Sequence, residues 1–490
     1  MTGRRPNFLG RNAVPADEAG YARVRNGFAG AASAPVNAAG SRHIGGFSVR
    51  PDNSDEFTHH VFRMSTSTGL VSVRTYDEYY RTLLCATDWG YCPTDPPRIH
   101  VAHVAGQVVV GARGLPLLWG YAGVHPRRMV SPTYGWVRSL GVESVPPSGP
   151  VVGWAGRLCA ADNEFLLFSD PLLPRAFSRN NRVNVPGGRI VALHVGAEGT
   201  LFVCCSDGVW ALPRQAAAAG QLVNGIFTQV SDHPCTEDGT ATALGRVWGL
   251  TADGIRLIDT ADDDGISILE PRGPLRTPAA YRPDNLRQSA KLIGADGGLW
   301  VVPPESNRSC WVDPVAGSVT WCELLAAAGA AFEVCATMAD RSGRQLALLS
   351  TPGSNPGPEL VAWEGVRDDD DLADGLWGGT IVRERSLDRP DLREIEIETD
   401  GTAVRLGDRS ARDSLGIAVS HTEGAIVGTT NWAAPGSVVH ASPERLVGRV
   451  DRHLTTRDLL LEVQAAGAGR IVATEPRAID FGAYPSRPRG

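Results

Sequence analysis

The chain has 490 residues, a formal net charge of −7 and 42% hydrophobic residues. The length allows two or three domains, or one large all-β unit with a smaller companion. The acidic balance disfavours a dedicated nucleic-acid binder, which usually shows a basic patch and a high isoelectric point.

Residues 1–60 are rich in Ala, Gly, Asn and Pro (GFAGAASAPVNAAG at 27–40) and are expected to form an extended N-terminal arm. Beyond them the chain reads as short β runs separated by Gly, Asp and Asn. Examples are Val108–Gly111, Phe165–Phe168, Leu201–Cys205, Leu346–Leu349 and Leu459–Val463. Only two stretches read as helical, 215–219 (QAAAA) and 325–338 (LAAAGAAFEVCATM).

Turn residues recur at a nearly fixed spacing. Gly69, Gly114, Asn163, Gly208, Gly254 and Gly298 each precede an apolar strand, with steps of 45, 49, 45, 46 and 44 residues. The next candidate, near Pro358 before ELVAW, comes 60 residues later and requires an insertion. Three of the turns carry Asp-Gly (SDGVW at 206–210, ADGIRL at 252–257, DGGLWV at 296–301), a dipeptide suited to two-residue hairpins. A period of about 45 residues with several strands per unit is that of a β-propeller blade. The sequence therefore predicts an all-β chain: a propeller of six or seven blades over 61–375, then a C-terminal antiparallel β-sandwich over 376–490. The acidic stretch RDDDDLADG (367–375) marks the boundary. In the last part LREIEIETDG (392–401) alternates apolar and charged residues, as a half-exposed strand does.

Catalytic and metal signatures are sparse. Lys291 is the single lysine; the other 46 basic residues are arginines, and no Gly-Lys pair exists to build a P-loop. The nine cysteines, at 85, 92, 159, 204, 205, 235, 310, 322 and 335, form no Cys-x-x-Cys pair, so free thiols are expected and no zinc site. No run of 18 apolar residues and no apolar leader is present, so neither a membrane span nor a secretion signal is expected. His100 and His103, three apart on a strand, face opposite sides and read as structural histidines, as do His59 and His60. Asp262, Asp263 and Asp264 before Gly265, and Asp368, Asp369, Asp370 and Asp371 before Gly375, each fall one ligand short of a calcium loop. They read as solvated acidic loops. A glycosidase would need paired carboxylates; Glu164, Glu198, Asp259 and Glu364 lie near turns or strand ends, and the sequence does not pair them.

One block carries a resemblance. Residues 151–214 run through Phe168-Ser169-Asp170-Pro171, Phe177, a Gly188–Leu193 strand and Ser206–Trp210. Near the end, RLVGRVDRHLTTRDLLLEV places Gly448, Arg449 and Arg452 on a strand before a final strand pair. This order resembles the tail nozzle or hub proteins of short-tailed bacteriophages, the packaged-DNA stabilisation group, over roughly residues 100–485. The resemblance implies a non-enzymatic virion protein without cofactor or metal, assembled in the host cytoplasm. It implies a homo-oligomeric ring, typically a hexamer, that sits below the portal and adaptor, meets tail fibres or spikes, and retains DNA until ejection. A net acidic chain suits a lumen along which DNA slides, because each neutralised phosphate would add affinity. The acidic loops Asp262–Asp264 and Asp368–Asp371 are then candidate lumen or interface elements. A glycan-binding or glycan-hydrolysing propeller is the alternative.

Overall fold

The computed structural model describes residues 40–350 with gaps, four short strands within residues 8–31, and separate strands from residue 360 onward. Six successive four-stranded units follow one another along the chain; Val142–Glu143 adds a fifth strand to the third, and the sixth is part of a ten-stranded sheet. Their first strands are Ser41–Val49, His100–Val104, Val151–Trp154, Ile190–Val195, Thr240–Ala243 and Lys291–Ala295. In each the chain runs through four strands in order, every pairing antiparallel. A seventh sheet has three local strands, Glu333–Ala339, Gln345–Ser350 and Leu360–Trp363, and takes its fourth, Phe28–Ala31, from the N-terminus.

The sheets close into a ring, and the architecture is a β-propeller. A four-stranded sheet cannot bury both of its faces alone, so each shares an apolar layer with the next. Phe62 and Val73 of the first sheet meet Val110 and Leu115 of the second. Trp154 and Phe168 of the third meet Leu201 and Val203 of the fourth. Trp248 of the fifth meets Leu292 and Val301 of the sixth. The circle closes where Val61 and Tyr76 of the first sheet pack on Met338, Leu346 and Leu348 of the seventh. Polar contacts cross the same seam. His43 donates its Nδ1 proton to the Leu349 carbonyl (3.1 Å), and the Ala339 amide donates to Ser48 Oγ (3.1 Å).

The first strands line the axis and approach closely. On Gly294 a Cβ would run into the carbonyl oxygen of Thr242, on the first strand of the preceding sheet. Gly153 stands in the same relation to the His103 carbonyl.

Several expectations are corrected. The first sheet begins at Ser41, inside the stretch expected as a free arm to residue 60, and Ile44, Phe47, Val49, His59 and His60 are all buried. His43, Ile44 and Gly45 are all buried, and burial alternates only from Gly45 to Val49, so the strand signal is masked at the paired glycines. Earlier still, Phe8–Arg11 runs parallel to Ser318–Glu323, the outer strand of the sixth sheet. The helix expected over 325–338 is overturned where it is described. Glu333–Ala339 is a strand, with Val334, Ala336 and Met338 buried and Cys335 and Thr337 half-buried, a period of two. Residues 325–332 lie outside the described residues. The short helix expected at 215–219 is present as Arg214–Ala218. After residue 378 the chain forms antiparallel pairs: Gly379–Ser386 and Ala403–Ser410 flank Asp458–Ala466, and Leu392–Glu398 pairs with Arg445–Leu454. Among the described residues no helix is long and apolar enough to cross a membrane, and the eight described cysteines are free thiols.

Candidate functional site

In an antiparallel sheet the start of the first strand and the turn between the second and third strands lie at the same end. That end of the ring gathers the charged residues. Arg98, Glu237, Asp238 and Arg189 precede first strands; Arg113 and Asn163 occupy second-to-third turns, and Asp162 ends the second strand of the third sheet.

Arg98 spans the axis. It enters beside the second sheet and donates Nη1 to the Glu237 carbonyl (2.6 Å) and Nη2 to the Thr240 and Leu292 carbonyls (2.6 and 3.1 Å), which belong to the fifth and sixth sheets across the ring. The residue keeps some exposed surface, but its guanidinium is enclosed. Burial pulls its pKa down from the usual value, opposed by the carboxylates of Asp238 and Glu237. Beside it His194 bonds Thr240 Oγ1 (3.0 Å) and Thr242 Oγ1 (2.9 Å). Burial first, then Arg98 and His100, lower the His194 pKa to about 3, so the ring is neutral.

Next to this strut His100 is only 8% exposed. Its Nε2 lies 3.8 Å from Glu237 Oε1, and neither atom has a hydrogen-bond partner among the described residues. Burial is the main cause lowering the His100 pKa, against the Glu237 carboxylate, which raises it. The other Glu237 oxygen lies 3.9 Å from Arg113 Nη1. Glu237 borders a cavity of about 280 Å³ shared by sheets two to five, with Arg113, Asp162, Asn163 and Arg189 around it. A smaller cavity of about 160 Å³ lies toward sheets six, seven and one, where Lys291, Asp238, Thr337 and Cys335 stand among Ile44, Ile99 and Ile293.

The residues singled out from the sequence lie elsewhere. Asp262–Asp264, Asp368–Asp371 and Glu364 fall outside the described residues. Asp259 is 4% exposed and fully engaged, accepting two bonds from Arg246 (both 2.9 Å) and one from the Val247 amide (3.0 Å). Glu164 sits in the second-to-third turn of the third sheet, whereas Glu198 is exposed between the first two strands of the fourth, at the opposite end, so the two do not converge. His103 is exposed and His100 buried, on opposite faces as expected. His59 and His60 face Ser48 Oγ (2.8 Å) and Thr75 Oγ1 (2.9 Å) as internal polar links. Among the described residues no group of three metal-ligating side chains converges. The site residues that sequence reasoning passed over, Arg98, Arg113, Arg189 and Glu237, do share a signal: each occupies the same end of its repeat.

No family model and no curated protein matches the chain. Among solved structures, YCF48 from Cyanidioschyzon merolae is 12% identical, with a TM-score of 0.38, covering 68% of this chain and 98% of its own. PorZ of the type-IX secretion system of Porphyromonas gingivalis is 11% identical (TM-score 0.36), covering 82% of this chain and 54% of its own. The extracellular domain of the putative hybrid two-component system BT4673 from B. thetaiotaomicron is 11% identical (TM-score 0.38), covering 86% of this chain and 56% of its own. None of the three is a phage tail protein, and likeness at this level says nothing of function.

Proposed function

We propose that the chain is a virion structural protein, a tail nozzle or hub of a short-tailed bacteriophage, working as a homo-oligomeric ring. In this reading the C-terminal strands form a β-sandwich, the ring continues the DNA channel below the portal and adaptor, and it retains packaged DNA until ejection. The order of strands and turns over 151–214 and 445–463 supports the family.

The observation that carries the ring is the outer strand of the first sheet, Leu83–Tyr91. Leu83, Leu84 and Tyr91 are 45, 56 and 69% exposed, and nearby on the second sheet Tyr121 and Val124 are also exposed. Among the described residues no further strand pairs with this edge, and an exposed apolar edge is a pairing surface that monomers usually blunt. Covered by a neighbouring subunit, it becomes an ordinary interface. The Arg98 strut agrees with this arrangement, because it bars the axis of the propeller itself. The DNA path then runs between subunits and not through a blade ring.

The test is the mass of the purified protein by light scattering, alone and with its neighbouring virion proteins. A ring of about six subunits, reduced to monomer by Leu84→Asp, is the expected result. A monomer under every condition overturns the reading and shifts weight to a solitary propeller.

A further inference from the structure

The cavity bordered by Glu237 has no part in the ring reading, yet it has features of a built receptor. Its rim holds two guanidinium groups with open donors. The Arg189 side chain is exposed and makes no hydrogen bond or ion pair among the described residues, and Arg113, 60% exposed, makes only the long contact to Glu237. Paired arginines present a planar, bidentate fork that matches a carboxylate.

Behind this lining, His100 Nε2 and Glu237 Oε1 are buried without a hydrogen-bond partner among the described residues, and of the two residues only Glu237 lines the cavity. At 3.8 Å they are too far apart to bond each other. The Glu237 carboxylate borders the cavity and accepts, so a ligand atom placed on it must donate, as a hydroxyl or an amino group does.

The charges narrow the class further. Asp162 and Glu237 stand against Arg113 and Arg189, so the lining is balanced. A polyanion would meet two carboxylates as well as two arginines. Inorganic phosphate would engage the arginines and set its remaining negative charge against the Glu237 and Asp162 carboxylates. Among the described residues no aromatic side chain lines the cavity to give a neutral sugar a face to stack on.

We propose that this cavity binds a small organic carboxylate bearing a hydroxyl or amino donor, with the carboxylate on Arg113 and Arg189 and the donor on the Glu237 carboxylate. A sugar acid and a free amino acid share this chemistry, and the volume of about 280 Å³ suits one such unit and not a chain of them. The inference is independent of the oligomeric ring.

The test is calorimetric titration of the full chain with glucuronate, serine, glucose and inorganic phosphate. Glucuronate or serine is expected to bind at least tenfold more tightly than glucose or phosphate, and whichever binds identifies the source. Arg189→Met, an exposed change that leaves the melting temperature in place, is expected to weaken that binding tenfold or more, and Glu237→Gln to do the same. Failure of both carboxylates to bind overturns the proposal. So does equal binding of glucose or phosphate, or an Arg189→Met variant with unchanged affinity.

Discussion

Arg98 shows how one side chain can serve as a cross-brace. Its three acceptors are backbone carbonyls from two sheets that face it across the ring. Removing the guanidinium leaves three inward carbonyls without a donor, each costing about 1–3 kcal/mol when buried. Arg98→Met is therefore expected to lower stability by about 3 kcal/mol or more, read as a fall in the denaturant midpoint. An unchanged midpoint would mean that water replaces the guanidinium at no cost.

Histidines set the acid limit. His43 accepts from Arg63 Nε (3.0 Å) through Nε2, so a second proton there would evict the arginine. Burial holds His43, His60 and His194 at about 3, below the ordinary 6.5. The unfolded chain takes up protons below pH 6.5 that the folded chain refuses until about pH 3. Stability is thus full above 6.5 and falls as pH drops from 6.5 toward 3, by about 1.4 kcal/mol per pH unit for each histidine. Melting temperatures measured from pH 8 to pH 4 should decline below 6.5. A profile no shallower in His194→Asn would remove that residue from the account.

At the scale of the element, the repeat was legible in the sequence, but one of its turns was assigned to the wrong hairpin. Gly69, Gly114 and Asn163 do stand between second and third strands, and Gly208 and Gly254 open third strands. Gly298 does not: it follows the hairpin between the first and second strands of the sixth sheet, where Ala295 pairs with Gly298. The long step to Pro358 arises partly from that slip. Two Asp-Gly pairs proved to be different objects. At 206–210 the loop residues are Ser206 and Asp207, because Gly208 already pairs with Cys205, whereas Asp296-Gly297 is a true two-residue loop with Gly297 at φ +82°.

The stronger signal was a different dipeptide. Ala105-Gly106, Ala155-Gly156 and Leu244-Gly245 each join first and second strands with both residues at positive φ. Ala and Leu are poor choices for that backbone, so the pattern is hard to recognise from turn propensities. Asn is the residue such turns prefer. Leu244 is 44% exposed and buries little. Leu244→Asn is accordingly expected to stabilise the protein by a few tenths to about 1 kcal/mol, and a lowered melting temperature would contradict the turn assignment. The opposite holds at Gly294. A methyl group there meets the Thr242 carbonyl, and Gly294→Ala should cost about 1–3 kcal/mol through displacement of an inner strand.

The site was less legible than the fold. Arg98, Arg113, Arg189 and Glu237 are spread over 140 residues with no motif between neighbours. Only the ring brings them together, and a single repeat cannot show which charged residues of other repeats share its end. His100 read correctly as buried, but its unpartnered Nε2 depends on Glu237, which comes from a sheet three positions further round.

At the scale of the whole molecule the ring is held shut by side-chain seams and by one borrowed strand. Val361 pairs with Ala31 and Trp363 with Phe28, so the seventh sheet is complete only with the N-terminal segment in place. Deleting residues 1–35 is expected to expose the Leu360–Trp363 edge, lower the melting temperature and promote aggregation. A truncated chain that melts at the same temperature and stays soluble would show that the strand adds nothing to closure.

That borrowed strand also imposes a timetable. Phe28–Ala31 leaves the ribosome more than 300 residues before its partner does. At about 5–20 residues per second, the segment waits roughly fifteen seconds to a minute without its native neighbour. Six sheets can assemble one after another during that interval, each from strands already made. The last joint forms only when the two ends of a long chain find each other, the most non-local and slowest kind of pairing. The newborn chain is therefore an open arc with two unsatisfied edges, and this is the stage at which it depends most on chaperones.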